Sequence, residues 1–238
     1  MNNFATTTFH PTHLLRPLGA NLWVAETDFT LLKVQFGNRM SVVKYGNELI
    51  VHSAVRYSQA LHEALDKIGK IAYLVAPNLM HHLHIAGWRE VCSGVKVIAP
   101  RELTKINPAP DGWLAPDQLS HWQACWGNEL QIVPIDGMPR LQEYAFYHEA
   151  SRTLILTDLV FNIHPPLNSW STLFFKLYGA YDHFGPTRLI KMVIADKKAF
   201  RHSLEKILAL DFDRVIVSHG EVLETNGKAL LSEAFKEV

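Results

Sequence analysis

Strand-length apolar segments alternate with segments of helical periodicity along most of this 238-residue chain, and this alternation restricts the fold more than any other feature. Two early strands, Met40–Tyr45 and Glu48–His52, are separated by a Gly-Asn pair that is typical of a hairpin turn. The segment Ser58–Ile68 then carries apolar residues at helical spacing, and Ile71–Ala76 is a continuous apolar run. Hairpins followed by alternating strands and helices predict an α/β fold of mixed sheets covered by helices.

The rest of the chain continues this pattern, without a repeat or a linker, so a single domain over residues 1–238 is expected. A Trp-, Pro- and Gly-rich stretch, Asn107–Trp126, predicts a long loop. The other predicted elements are strands over Asn21–Thr27, Val95–Ala99 and Glu129–Pro134, a helix over His81–Val91, a hairpin of Glu143–His148 and Thr153–Thr157, a helical insertion over Pro165–Asp182, one or two helices over Thr187–Leu210, a strand over Val215–Ser218 and a closing helix over Lys228–Phe235.

Composition argues against several classes of partner. Lysine plus arginine and aspartate plus glutamate both number 23, so no net charge would attract nucleic acid or an anionic membrane. No apolar stretch is long enough to span a bilayer, and the first residues lack the pattern of a signal peptide. Two cysteines cannot build a disulfide framework. We therefore expect a cytoplasmic protein that binds neither nucleic acid nor a membrane, and we leave its oligomeric state open.

Four of the predicted strands lead into residues of metal-ligand type. In layered α/β folds ligand sites form beyond the carboxyl ends of strands, so these four ends are expected to share one crevice. Histidine and aspartate suit Zn²⁺ or Fe²⁺, and His81 and His84 are one helical turn apart. The residues that follow the four strands are His52, the pair His81 and His84, Asp158, and His219.

Each of these residues also has a purely structural interpretation. The chain has 13 histidines, and most histidines in proteins lie at the surface or in structural hydrogen bonds. Asp158 follows a strand, where aspartate often caps the next helix. His52 fits a structural histidine that donates to a backbone carbonyl. Glu143 and His148 lie on the nearby hairpin, where an ordinary strand or turn role is favoured over a role in supporting the site.

The order of these motifs resembles that of the metallo-β-lactamase-like superfamily. The stretches PNLMHHLHIAGW, SRTLILTDLVFN and VIVSHG are more specifically similar to an uncharacterised branch of it, known only as a domain of unknown function. The resemblance runs from about Leu18 to Leu231. It implies a four-layer αββα sandwich of two mixed sheets with the metal site at one edge.

The sequence departs from the superfamily at three ligand positions. The superfamily's motif is two histidines one residue apart, followed by Asp-His. When His84 is aligned with the end of that motif, His81 takes the second histidine, but Leu79 replaces the first and Leu83 replaces the aspartate. A further histidine of the first metal site would fall near Met138 and is absent. The missing aspartate is also the usual proton acceptor, so its loss bears on hydrolysis.

The resemblance then favours a single metal. The first site would keep only His81 and Asp158, whereas the second would keep His84, Asp158 and His219, three protein ligands and an open position. The superfamily usually has aspartate where this chain has His52, which is therefore a candidate fourth ligand.

The leading interpretation is a hydrolase that uses one divalent metal, zinc or iron, and a metal-bound water to cleave a small ester, lactone, thioester or phosphoester. His52 or His81 is the candidate general base. The aromatic segments Trp113–Trp126 and Pro165–Phe184 are expected to form the lid and substrate walls. The alternative is a metal-free pseudoenzyme of the same fold that binds a small molecule or a protein. Redox chemistry at an iron centre is a third interpretation, and the depleted first site argues against a di-metal form of it.

Overall fold

Two β-sheets pack face to face and are covered by helices on their outer sides. The structure is a computed structural model, and it describes residues 14–104, 106–107, 109–127 and 130–238. Three apolar cores separate the layers: one lies between the sheets, and one lies between each sheet and its helices. This is the αββα arrangement that the resemblance implies.

The larger sheet has seven strands in the order β1-β2-β5-β6-β7-β8-β9. Within this sheet, β1, β2, β5 and β6 pair antiparallel with one another in that order, and β6, β7, β8 and β9 pair parallel. Because parallel neighbours end at the same edge of a sheet, the residues after β6 and β7 meet there. The strands are β1 (Arg16–Gly19), β2 (Leu22–Thr27), β5 (Asn38–Tyr45), β6 (Glu48–His52), β7 (Lys70–Val75), β8 (Lys96–Pro100) and β9 (Gly112–Leu114); the small hairpin of β3 (Thr30–Leu31) and β4 (Val34–Gln35) lies beside them.

The smaller sheet has four strands in the order β10-β11-β12-β15. Strands β12 and β15 pair parallel, so the loops after both begin at the same edge. Its strands are β10 (Leu130–Pro134), β11 (Tyr144–His148), β12 (Thr153–Ile155) and β15 (Arg214–Ile216); a separate hairpin consists of β13 (Phe161–Ile163) and β14 (His183–Gly185).

The alternation of side chains along the strands explains why the sheets are covered on both faces. Ile50 of β6 packs in the core between the sheets, whereas its neighbours Leu49 and Val51 pack in the outer core with the helices. Both faces of such a strand are apolar, as the sequence shows. The helices are α1 (Gln59–Asp66), α2 (Ile85–Val91), α3 (Leu119–Trp126), α4 (Ser169–Tyr178), α5 (Arg188–Met192), α6 (Lys197–Ala209) and α7 (Gly227–Ala234).

Most predicted elements are present, and two predictions are wrong. The stretch Asn107–Trp126 is not one long loop, because it contains β9 and α3. The helix predicted over His81–Val91 begins only at Ile85, and residues 81–84 form a turn. The strand predicted from Glu129 is found from Leu130, and Glu129 itself lies outside the described residues.

The helices of the described part of the chain include none that is both long and apolar enough to cross a membrane.

Candidate metal centre

Three of the predicted ligands come together at the edge where the strand ends meet. His81 Nε2 lies 3.2 Å from Asp158 Oδ2, and His219 Nε2 lies 3.2 Å from Asp158 Oδ1. One ligand atom from each residue can be chosen so that all lie within 4.8 Å of one another. Both Asp158 and His219 are buried. Two imidazoles and one carboxylate thus converge on a space that would suit one cation.

The loop after β15 holds His219 through its backbone. Gly220 has φ +92°, and a Cβ at this position would lie 2.1 Å from the carbonyl oxygen of Asn162, so only glycine fits. The amide of Asn162 donates to the carbonyl of His219 over 3.1 Å. The Phe161 ring stacks on the His219 ring at 5.1 Å between centroids. The close approach of the Asn162 backbone therefore explains why glycine follows His219.

The Nδ1–H group of His219 donates to the carbonyl of Gly37 over 2.8 Å. A carbonyl only accepts, so a hydrogen is on Nδ1, and Nε2 is the ring atom that faces Asp158. Nε2 and the carboxylate oxygen lie 3.2 Å apart, and the positive charge that holds them together can come from a proton on Nε2 or from a metal ion. Metal-binding histidines commonly donate their second N–H to a backbone carbonyl in this way.

His81 is oriented by Ser53, which directly follows β6. The Oγ of Ser53 lies 2.7 Å from His81 Nδ1, and the residue has φ +57°, an uncommon conformation for a side chain other than glycine. Burial lowers the pKa of His81, but the charge and hydrogen bond of Asp158 and the charge of Glu143 outweigh it, so the net pKa lies above the ordinary value.

Asp158 is held by Asn78 and by the loop that carries it. The side-chain amide of Asn78 donates to Asp158 Oδ2 over 2.8 Å and to Thr157 Oγ1 over 3.0 Å. Burial raises the pKa of Asp158, but the His81 charge and the hydrogen bonds from His219 and His81 hold it well below the usual range. The carboxylate is therefore ionised at neutral pH, as a metal ligand must be.

Glu143 supports this loop, which is the less favoured of the two roles that the sequence left open for it. It is fully enclosed, and its carboxylate accepts hydrogen bonds from the amides of Thr157, Asp158 and Leu159 at 2.8–3.1 Å. Burial raises its pKa, and the nearby Asp158 charge adds to this effect.

Asn78 and Arg39 were not identified from the sequence. The Oδ1 of Asn78 accepts the amides of Met80 and His81, both at 2.8 Å, and so shapes the turn that presents His81. The Pro77-Asn78 pair directly after the apolar run Ile71–Ala76 is a turn signal that could have pointed to this position. The buried Arg39 donates to the carbonyl of Val217, and to that of Gly220 over 2.6 Å. No local signal marked Arg39, because its partners are far away in sequence.

His84, predicted to be a ligand, is not part of the group that the structure brings together. The expected shared face with His81 requires a helix, and residues 81–84 form a turn instead. His84 lines the adjacent cavity together with His81. Burial lowers the pKa of His84, and the charges of Arg56 and His81 lower it further.

His52 does not line the cavity formed by the described residues, contrary to expectation. It is two residues from Ile50 in β6 and so points between the sheets, where its ring packs 4.8 Å from that of Phe146. Its Nε2 forms no hydrogen bond with any described residue. Burial lowers the pKa of His52 to about 3, with a further contribution from the charge of His81.

A cavity of about 390 Å³ opens beside His81, Asp158 and His219. The aromatic segments expected to form its walls do not do so: Trp122 and Trp126 pack between the sheets, and residues 165–184 are not among the described residues that line it. The side chains that line the cavity are Phe29, Leu31, Phe36, Asn38, Ala54, Met80, His81, Leu83, His84, Arg140, Leu141, Asp158, Phe161, Leu189, Ile190, Val193 and His219.

Solved metallo-β-lactamases share this fold. The metallo-β-lactamase from Pontibacter korlensis aligns with a TM-score of 0.61 and 13% identity over 93% of this chain and 96% of that one. The mono-zinc form of FIM-1 from Pseudomonas aeruginosa gives 0.58 and 13% over 94% and 96%. The enzyme from Hirschia baltica gives 0.59 and 13% over 93% and 94%. At these identities the likeness establishes the fold, which is that of the metallo-β-lactamases.

Within this fold class, the chain belongs to the family described as Domain of unknown function (DUF4336), whose model matches residues 20–175. The matched part contains His81 and Asp158 and ends before His219. The predicted fold and the predicted similarity to a domain of unknown function are thus both confirmed. No curated protein matches the chain in sequence.

Proposed function

We propose that this protein is a metal-dependent hydrolase in which His81, Asp158 and His219 hold one Zn²⁺ or Fe²⁺. The observation that carries the proposal is the placement of the Asp158 carboxylate between two Nε2 atoms, one of which belongs to a ring whose Nδ1–H is committed to a carbonyl. Two histidines and one carboxylate are a ligand set of catalytic zinc and of non-haem iron. The solved metallo-β-lactamases of the same fold, one of them in a mono-zinc form, support this choice.

The metal would supply electrophilic stabilisation and would lower the pKa of water that it binds. The protein residues orient the metal ligands and exclude bulk water. Asn78 and the loop amides fix Asp158, and Gly37 and Ser53 fix the two rings. The apolar cavity wall keeps bulk water away from the reacting carbonyl or phosphoryl group.

We assign proton transfer to His84 in place of the missing motif aspartate. Its pKa is lowered, so the ring is neutral at neutral pH, and it lines the cavity next to His81. His52, one of the two candidate bases from the sequence, is enclosed between the sheets and is not among the described residues that line the cavity. In the reaction, water would add to a small ester, lactone, thioester or phosphoester, the bond to the leaving group would break, and the proton from water would pass to the departing oxygen or sulfur.

Metal content and activity test the proposal together. Protein purified without added metal is expected to contain close to one zinc or iron per chain by elemental analysis. His219→Ala should lose the metal and the esterase activity, whereas His84→Gln should keep the metal and lose about 10²–10⁴-fold in kcat. Metal-free protein that gains no activity with zinc or iron would contradict the proposal.

The second candidate is a metal-free binding module of the same fold. Leu79, Leu83 and Met138 at three ligand positions of the superfamily favour it. Such a protein would contain no zinc or iron, and its melting temperature would not respond to a chelator.

A cytoplasmic location and a small-molecule substrate are part of the same proposal. The two cysteines, Cys92 and Cys125, are both free, which suits a reducing compartment. Fractionation of the native cells with an antibody against the chain tests the location.

A further inference from the structure

The cavity beside His81, Asp158 and His219 has a mostly apolar wall. Of the seventeen described residues whose side chains line it, eleven are apolar or aromatic, and three of the six others are the candidate ligands themselves. Its volume of about 390 Å³ lies within the usual range of small-molecule sites, which is about 300–1,000 Å³. The part of a ligand that fills this space is therefore apolar.

The apolar wall continues outward to the surface. Leu31, Met80, Leu83 and Leu189 line the cavity and are nonetheless between 44% and 63% exposed. They come from β3, from the turn around His81 and from α5, so separate elements contribute apolar side chains to the same mouth. Contiguous exposed apolar surface around a cavity is typical of a binding site. A short polar substrate would leave these four side chains in water, whereas an extended apolar chain would cover them.

We propose that the substrate is an ester or thioester of a linear, apolar acyl chain. This inference rests on the proposed hydrolase function and names the substrate class of the same site. The carbonyl lies at His81, Asp158 and His219, and the chain lies along Phe36, Ile190 and Val193 and leaves through the mouth past Leu189. Water adds to the acyl carbon, the bond from that carbon to the alcohol oxygen or thiol sulfur breaks, and the products are a fatty acid and the free alcohol or thiol. The reaction involves no oxidation or reduction.

Chain length is the variable that tests the substrate class. The para-nitrophenyl esters of acetate, butyrate, octanoate and decanoate would be compared with the protein loaded with zinc or iron. We expect kcat/KM to rise by roughly fourfold for each added methylene until the cavity is filled, the factor that corresponds to about 0.8 kcal/mol. Octanoyl and acetyl thioesters are expected to show the same order. A profile that is flat or falls with length, in protein that hydrolyses the acetate, would overturn the inference and leave the hydrolase function intact.

Two variants test where the acyl chain of the substrate lies. Leu189→Asn should lower the octanoate-to-acetate ratio of kcat/KM by about tenfold. The matched control is Leu173→Asn, since Leu173 on α4 is 48% exposed, against 44% for Leu189, and is not among the described residues that line the cavity. Val193→Phe, which fills the cavity, should shift the preference towards butyrate. An unchanged length profile in both cavity variants would contradict the proposed path of the chain.

Ligand binding to metal-free protein distinguishes the proposed acyl-chain site from the proposed hydrolase activity. Chelated protein is expected to bind octanol more tightly than butanol in calorimetry, and Leu189→Asn should weaken octanol binding. If no ester is hydrolysed but this preference is present, the chain site is supported and the hydrolase function fails. If octanol does not bind and the protein forms a dimer that Leu189→Asn dissociates, the exposed leucines belong to a contact with a second copy, and the inference is overturned.

Discussion

The carbonyl oxygen of Gly37 accepts the Nδ1–H of His219 over 2.8 Å, and this contact joins the residue before β5 to the loop after β15. It fixes the tautomer of a histidine whose other nitrogen faces a carboxylate. In a buried site, a ring nitrogen and a carboxylate that face each other with neither a proton nor a metal ion between them cost free energy. The position between His219 and Asp158 is therefore the place where the protein should respond most strongly to a cation.

The first prediction concerns thermal stability with and without metal. A metal that binds only the native state at about 100 times its Kd adds roughly 2.7 kcal/mol, which for a chain of this size corresponds to a rise of roughly 5–11 °C in the melting temperature. A chelator should remove this rise in a thermal-shift assay. His219→Ala should not respond to the chelator. His202→Ala, on the exposed face of α6, should respond like the wild type, and equal behaviour of the two variants would disprove the assignment.

The second prediction concerns Asn78, which is completely buried and bonds to both the turn of His81 and the side chain of Asp158. Asn78→Ala should lower the free energy of unfolding by about 2–4 kcal/mol, because it removes several buried hydrogen bonds and leaves their partners unsatisfied. Urea unfolding measures this loss. For comparison, Asn168→Ala removes the side-chain cap of α4 and should cost about 1 kcal/mol without affecting metal binding. A loss of the same size in both variants would mean that the Asn78 contacts stabilise the fold no more than a single helix cap does.

The third prediction concerns the support that Glu143 gives to the Asp158 loop. In Glu143→Gln one oxygen becomes an NH₂ group, which cannot accept the amide hydrogens of this loop. Asp158 should then be held less firmly, and zinc affinity should fall by about 10–100-fold. Competition with a chromophoric chelator measures the affinity. Glu63→Gln, on the exposed surface of α1, is the control; an unchanged affinity in Glu143→Gln would show that the backbone alone fixes the loop.

The fourth prediction concerns pH and His52. Burial lowers the pKa of His52 to about 3 from an ordinary value of 6.5. The unfolded chain therefore binds a proton below about pH 6.5 that the folded chain does not bind, so this residue reduces stability as the pH falls. Between pH 7.5 and pH 5 the contribution is about 2 kcal/mol. Urea unfolding of chelated protein should show that His52→Gln loses about that much less than the wild type over this range, and an identical pH dependence would indicate that His52 is protonated in the fold.

The strand ends were readable from the sequence because they depend on local patterns. Apolar runs stop where the chain leaves a sheet, so the positions of Asp158 and His219 followed directly from the runs before them. The parallel pairing of β12 and β15 then places both residues at one edge. The fold itself was recognisable from the order of these motifs.

The choice between His81 and His84 could not be made in this way. It depends on whether four residues form a helix or a turn, and the side chain of Asn78 decides this by accepting two amides of the turn. The burial of Trp122 and Trp126 depends likewise on contacts with Tyr73, in a strand of the larger sheet. Such tertiary contacts override the local preference of a Gly- and Pro-rich stretch for a loop.

Arg39 has a consequence for the folding of the chain. Its guanidinium binds Glu26 within the same sheet and two carbonyls that follow it by 178 and 181 residues. Contacts between residues so distant in sequence form late and slow folding. During synthesis the first hairpins can form long before β15 has emerged, and Arg39 then has Glu26 but lacks its two carbonyl acceptors. The loop that carries His219 can dock only when the chain is nearly complete, so a protein truncated after α6 would lack both a candidate ligand and two of the acceptors of the buried Arg39 guanidinium.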